Sequence, residues 1–163
     1  MQRERAVYFG AAIRGDRVVA DTVCELIRFI RDDLGFPVLN EHVGTADPIA
    51  AFAAKVGKTK ETLTAPDIER QDTAWLDEAT HMICEISGAS TGTGREVEYA
   101  RTKGLLGKVP TVVLVLYDLE REFQASPMVR GMTPERYPNV CVRYYTDAAH
   151  AKQLIREFLH EAP

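Results

Sequence analysis

HMICEISGASTGTGREVEYA, His81 to Ala100, passes from one kind of chain to another within twenty residues. HMICEI is a short, continuous apolar run, the pattern of a buried strand. SGASTGTG is rich in turn formers. Apolar residues at helical spacing then run from Val97 to Leu106. Strand, loop and helix in that order is one half of a βαβ unit, and the rest of the chain repeats the alternation. AVYFGAAI (Ala6–Ile13), FPVLNEHV (Phe36–Val43), TVVLVLY (Thr111–Tyr117) and VCVRYY (Val140–Tyr145) read as four further strands. Between them, Val19, Val23, Leu26, Ile27, Ile30 and Leu34 form one helical face, which Gly35 ends. TAPDIERQDTAWLDEA (Thr64–Ala79) is a second helix, opened by a Thr64-x-x-Asp67 capping box with Pro66 in its first turn. Ala148, Ala151, Ile155, Phe158 and Leu159 give the last helix its apolar side. Residues 44–61 carry a weaker signal that fits a short helix or a loop.

This alternation predicts an α/β fold: a doubly wound, flavodoxin-like, five-stranded and mostly parallel sheet with helices on both faces. The 163 residues suit a single domain, and no repeat or linker divides them. Such sheets bind ligands beyond the carboxyl ends of their strands. The loops there are RGDR (14–17), SGASTGTG (87–94) and DLEREFQASPMVRG (118–131).

Composition narrows the function. With 45% hydrophobic and 27% charged residues the chain is ordinary globular protein. A net charge of -4 argues against a dedicated nucleic-acid surface. VPTVVLVLY, the longest apolar run, is too short to span a membrane, and no secretory signal pattern opens the chain. Cys24, Cys84 and Cys141 have no metal spacing and read as reduced, mostly buried thiols of a cytoplasmic protein. His42, His81, His150 and His160 show no metal-ligand pattern. No metal or cofactor is expected.

Two carboxylates stand out. Asp72 falls four residues after Ile68 and three before Trp75, inside the apolar stripe of its helix. Loss of hydration there raises a carboxyl pKa and suits it to proton donation. The plainer alternative is an aspartate at the stripe's edge, bonded or reaching solvent. Glu96 completes a Thr93-x-x-Glu96 pattern, which an ordinary capping box explains. The same helix start would keep its carboxylate ionised, as a nucleophile requires. The two flank one strand, so they suit an acid and a nucleophile at an acetal-like carbon. GTG lacks the third glycine of a dinucleotide fingerprint. It fits a smaller anion site, with helix-start amides and the Ser90 and Thr91 hydroxyls around a monophosphate. Taken alone, Arg14 and Ser126 read more simply as a solvated loop cation and a turn hydroxyl.

VYFGAAIRG (7–15), NEHV (40–43), QDTAWLDEAT (71–80), Ser90-x-Gly-x-Gly-x-Glu96 with Ala100, and SPMVRG (126–131) occur in order over most of the chain. Together they resemble the nucleoside 2-deoxyribosyltransferase superfamily, above all its hydrolytic, Rcl-type branch, the 2'-deoxynucleoside 5'-monophosphate N-glycosidases. The resemblance implies a homodimer and a retaining mechanism in which Glu96 attacks C1', Asp72 helps the base depart and Tyr8 lies beside sugar and nucleophile. It assigns Ile13, Arg14, Gly15, Ser90 and Gly92 to the phosphate. It also assigns His42 to the base and sugar pocket, and has the partner supply Ser126 to the phosphate and Met128 to the base. Arg95 stands where the family has a hydrophobic or aromatic residue, Glu98 where it has glycine, and Ala12 where near relatives have serine. Base exchange between nucleosides, hydrolysis of a CMP-type ribonucleotide and a non-enzymatic nucleotide-binding module are the alternatives.

Overall fold

The computed structural model describes residues 5–14 and 17–161. Four strands form one parallel sheet in the order β1-β2-β3-β4: β1 Val7–Gly10, β2 His81–Glu85, β3 Val112–Asp118 and β4 Val140–Tyr145. Helices α1 (Ala20–Arg28), α2 (Pro48–Lys55), α3 (Ala65–Glu78), α4 (Thr91–Thr102), α5 (Pro127–Arg130) and α6 (Ala148–Glu161) connect and cover the strands.

Strand residues point alternately to opposite faces, and the core divides accordingly. Val7, Phe9, Ile83, Leu114 and Leu116 join α1 and α6 side chains such as Leu26, Ile30, Ile155 and Leu159 in one cluster. Tyr8, Met82, Cys84, Val113 and Val115 join Phe52, Trp75, Leu76, Val97 and Ala100 from α2, α3 and α4 in the other. The two-sided burial explains why the strands read as unbroken apolar runs rather than alternating ones.

The sheet has four strands, not the five expected. FPVLNEHV reaches the outer edge of β1, as a second strand should, but makes a single bridge there between Val38 and Val7. Val7 N–H donates to Pro37 O and Leu39 N–H to Val7 O, both at 2.9 Å. One step further the Asn40 side chain replaces the ladder. Its Oδ1 accepts from Phe9 N–H and its Nδ2 donates to Phe9 O, each at 2.7 Å. The amide has the donor and acceptor of a peptide group, so β1 is satisfied without further backbone pairing, and Glu41–Gly44 coils into a 3-10 turn. This edge and β2 lie on opposite sides of β1, which makes the carboxyl end of β1 the switch point of the sheet.

Other boundaries moved for identifiable reasons. β1 ends at Gly10, so Ala11–Ile13 belong to a loop. α1 continues through a π-helical turn, Phe29–Asp33, before Gly35 adopts φ +73°. Residues 44–61 hold α2, capped by Asp47, whose carboxylate accepts from Ala50 N–H at 3.0 Å. The Thr64–Asp67 box forms, with Thr64 N–H donating to Asp67 Oδ2 at 2.9 Å. α3 ends on Lys103, a fully buried cation whose ammonium donates to the carbonyls of Leu76, Asp77 and Ala79. These are the orphan acceptors of a helix C-terminus.

Of the cysteines, all free, Cys84 is buried while Cys24 and Cys141 are partly exposed. Among the described residues, no helix is long and apolar enough to cross a membrane. Nor does any group of three or more His, Cys, Asp or Glu side chains there have the arrangement of a metal site.

Candidate active site

α4 begins six residues before the apolar pattern suggests, at Thr91, with Ser90 as its cap. Ser90 Oγ accepts from Thr93 N–H at 3.2 Å and from Thr93 Oγ1 at 3.1 Å. The Thr93–Glu96 capping box therefore does not form: Glu96 lies in the second turn, past the orphan amides. Gly92 and Gly94 conceal this start, because glycine gives no helical signal. The register turns Glu96 inward beneath the sheet edge and Glu98 away, where Arg101 Nε donates to Glu98 Oε2 at 2.6 Å.

Two chain segments, β1 and α3, converge on Glu96. From β1, the buried Tyr8 hydroxyl donates to Glu96 Oε1 at 2.9 Å. Also from β1, Gly10 leaves room for the carboxylate, since a Cβ there would lie 3.2 Å from Glu96 Oε2 and 3.0 Å from Met82 Cε. From α3 comes Asp72, half-buried in the stripe that packs Trp75 and Leu76. Asp72 and Glu96 line the same cavity of about 320 Å³ at the carboxyl end of β1, together with Tyr8, Asn40 and His42. A second cleft of about 400 Å³ between α3 and α4 opens onto the same two carboxyls.

Burial dominates the electrostatics. It pushes the Asp72 carboxyl up to about 7, with Glu69 adding repulsion. It also pushes Glu96 up to about 7, with Asp72 adding repulsion while the Tyr8 hydrogen bond and Arg95 pull the other way. The Asp72 expectation holds. The expectation that a helix start keeps Glu96 ionised does not, because Glu96 is a turn too far along to feel it and is desolvated instead. Burial and the two carboxylates also drive the Tyr8 phenol well above its ordinary value, so it stays a neutral donor.

Most of the expected phosphate residues meet here. Ile13, Arg14, Ser90 and Gly92 all line the cavity, and Gly15 lies outside the described residues. Ser90 Oγ accepts both Thr93 bonds, which leaves its own O–H free to donate outward. A Cβ on Gly92 would meet nothing closer than Ser90 Oγ at 3.8 Å, so that side of the turn is open. His42 is buried among rings, 5.1 Å from Phe52 and 5.5 Å from Trp75 between centroids. Burial lowers its pKa to about 4, and its Nδ1 has no partner among the described residues. The neutral imidazole lines the cavity, while its Nδ1 itself is buried.

Ser126 and Met128 do not join them. They line a separate cavity of about 660 Å³ on the other side of the α4 start, which Glu98 and Arg101 also border. Met128 is 84% exposed. Gly10 and Asn40 are residues that the sequence reading missed as parts of the site. Asn40 was legible as an amide at the end of an apolar run, whereas the need for a glycine at position 10 follows from a contact 86 residues away.

A parallel α/β sheet whose switch point holds two desolvated carboxyls, a phenol and an open helix start has the kinds of group that a glycosidase site uses. Among known proteins, the chain is 30% identical over 161 residues to "Putative 2'-deoxynucleoside 5'-phosphate N-hydrolase 1" of Methanosarcina mazei, covering 97% of this chain and 86% of that one. The protein of the same name from Methanosarcina barkeri is 31% identical over 97% of this chain and 87% of its own length. That from Thermofilum pendens is 29% identical over 94% of both. The chain belongs to this 2'-deoxynucleoside 5'-phosphate N-hydrolase 1 family. Among solved structures, the CMP N-glycosidase BcmB of Clostridium botulinum shares the fold, with a TM-score of 0.63 over 94% of this chain and 99% of that one at 17% identity. No family model matches the sequence.

Proposed function

We propose that this enzyme hydrolyses the N-glycosidic bond of 2'-deoxynucleoside 5'-monophosphates, releasing the base and 2-deoxyribose 5-phosphate. The observation that carries the reading is the convergence of Asp72, Glu96 and Tyr8 on one cavity that also receives the Ser90-capped start of α4. In the first step ionised Glu96 attacks C1', the C1'–N bond breaks, and the proton of Asp72 passes to the departing base. In the second, water attacks C1', the ester to Glu96 breaks, and Asp72 recovers a proton from the water. Tyr8 holds one Glu96 oxygen, which leaves the other to attack. Ser90, the first-turn amides with Gly92, and Ile13, Arg14 and Gly15 hold the phosphate. His42 lies beside the base and sugar.

The same proposal makes the enzyme a homodimer. Ser126 and Met128 line a cavity that meets the site cavity only at the Ser90 end of α4 and includes neither Asp72 nor Glu96, and Met128 and Phe123 are 84% and 94% exposed. Across a two-fold axis they complete the partner's phosphate and base pockets. One domain over residues 1–163 carries the activity, and its free cysteines suit the cytoplasm.

The test is a panel of deoxy- and ribonucleoside monophosphates with the matching nucleosides, assayed for free base and, with a second base added, for new nucleosides. Base release from deoxynucleoside monophosphates alone is expected. Equal rates on nucleosides would refute the phosphate site, exchange products would make the protein a transferase, and preference for a ribonucleotide would make it a CMP-type glycosidase. Tight binding without turnover would leave a nucleotide-binding module.

A further inference from the structure

Burial raises both Asp72 and Glu96, so burial by itself does not decide which of them keeps the proton. The proposed reaction needs a definite answer: Asp72 protonated and Glu96 ionised. Outside the cavity, a second pair of charges lies across the same two helices. Arg95 donates to Glu69 Oε1 at 2.8 Å, joining α4 to α3. Thr73 Oγ1 donates to the same oxygen at 3.2 Å. Glu69 stands one turn before Asp72 on one face of α3, and Arg95 directly precedes Glu96. All four side chains border the 400 Å³ cleft between α3 and α4.

The order of charges matters. On α3 an anion accompanies Asp72, and on α4 a cation accompanies Glu96. We propose that the Glu69–Arg95 ion pair assigns the roles of the two carboxyls, Glu69 holding the proton on Asp72 and Arg95 holding the charge on Glu96. Resting on the glycosidase reading, this makes Glu69 and Arg95 positioning residues. Of the other groups that face the pair, the Tyr8 phenol works in the same sense, because it donates to Glu96 and not to Asp72. The Cys84 thiol and His42 are neutral and Arg14 borders both carboxyls, so these do not separate the two. Glu69 contributes to the rise at Asp72, and Arg95 opposes the rise at Glu96. The pair is exposed, so its influence is modest and salt-sensitive.

Three variants separate this role from a mere clamp between helices. Glu69→Gln keeps an oxygen for Arg95 and loses the charge, Arg95→Met loses charge and bond, and Arg95→Lys restores the charge. Carboxyl carbon NMR of the free protein reads both groups directly. Glu69→Gln should lower the Asp72 midpoint and Arg95→Met should raise that of Glu96, each by about half a pH unit at low salt. Arg95→Lys should return the Glu96 midpoint to its native value, and 1 M salt should shrink the differences. In the kcat/KM profile, Glu69→Gln should pull in the alkaline limb and Arg95→Met the acid limb. Unmoved NMR midpoints with a lowered Tm would show a structural clamp and overturn the proposal. That outcome is independent of the reaction, because absence of base release by the native protein refutes the glycosidase reading while leaving the NMR result intact.

Discussion

Two glutamates two residues apart meet different fates. Glu96 enters the cavity, while Glu98 pairs with Arg101 beside another. Glu96→Ala should therefore lower kcat by about 10³-fold or more, and Glu98→Ala should keep the kcat of the native enzyme. Gly10→Ala tests the tightness of the site. Its new methyl would press on Glu96 Oε2 and Met82 Cε, so kcat should fall more than KM rises in steady-state assays. The raised carboxyls also make a stability prediction. In the folded protein Asp72 and Glu96 hold protons to about pH 7, and unfolded they release them near pH 4. Between those values the unfolded chain binds fewer protons, so stability falls as pH rises from about 4 to 7 and levels off above. Asp72→Asn and Glu96→Gln should be inactive yet more stable at pH 8, by about 1–3 kcal/mol each in denaturant melts. The anomaly of Asp72 was legible in the sequence because a carboxylate interrupted a stripe. The desolvation of Glu96 was not, because it depends on where the helix begins and on a glycine in another strand.

At the scale of elements, what was legible followed from apolar pattern. β2, β3, β4 and α3 emerge within a residue or two of their expected limits, since β2 and β3 bury long apolar runs, β4 is an apolar and aromatic run, and α3 opens on a capping box. The fifth strand and the start of α4 did not, and both failures have one cause: side chains doing work usually done by backbone. At α4 it is Ser90, whose hydroxyl caps a first turn of threonines and glycines. Ser90→Ala should cost about 1 kcal/mol of stability and raise KM for a monophosphate more than it lowers kcat. At β1 it is Asn40, whose replacement by leucine leaves Phe9 N–H and O buried without partners. About 2–4 kcal/mol should be lost in equilibrium unfolding.

For the molecule as a whole, the placement of Ser126 and Met128 turns the question of assembly into one of catalysis. If each site borrows the neighbour's loop, then mixing an inactive Glu96→Ala chain with a Ser126→Ala chain should recover activity. A hybrid dimer contains one site with native Glu96 and native Ser126. Recovery after co-refolding, measured against either parent alone, checks it, and failure to recover with a dimer present would place Ser126 outside the site. Sequence could suggest this arrangement through resemblance alone, because no pattern within one chain records which copy a loop serves.

The Asn40 amide also affects how the protein can change over time. Because a single side chain completes the edge of β1, the residues that follow it owe no register to the sheet. Position 40 acts as a coupling, with the strand that carries Tyr8 on one side and an exchangeable cartridge, residues 41–61, on the other. That cartridge carries His42 and the wall of the pocket against which a base would rest. Insertions, deletions or wholesale replacement there should alter what is accepted without unravelling the sheet. Chimeras that keep Asn40 and exchange the following twenty or so residues with those of a relative should fold, and their choice of base should travel with the exchanged segment.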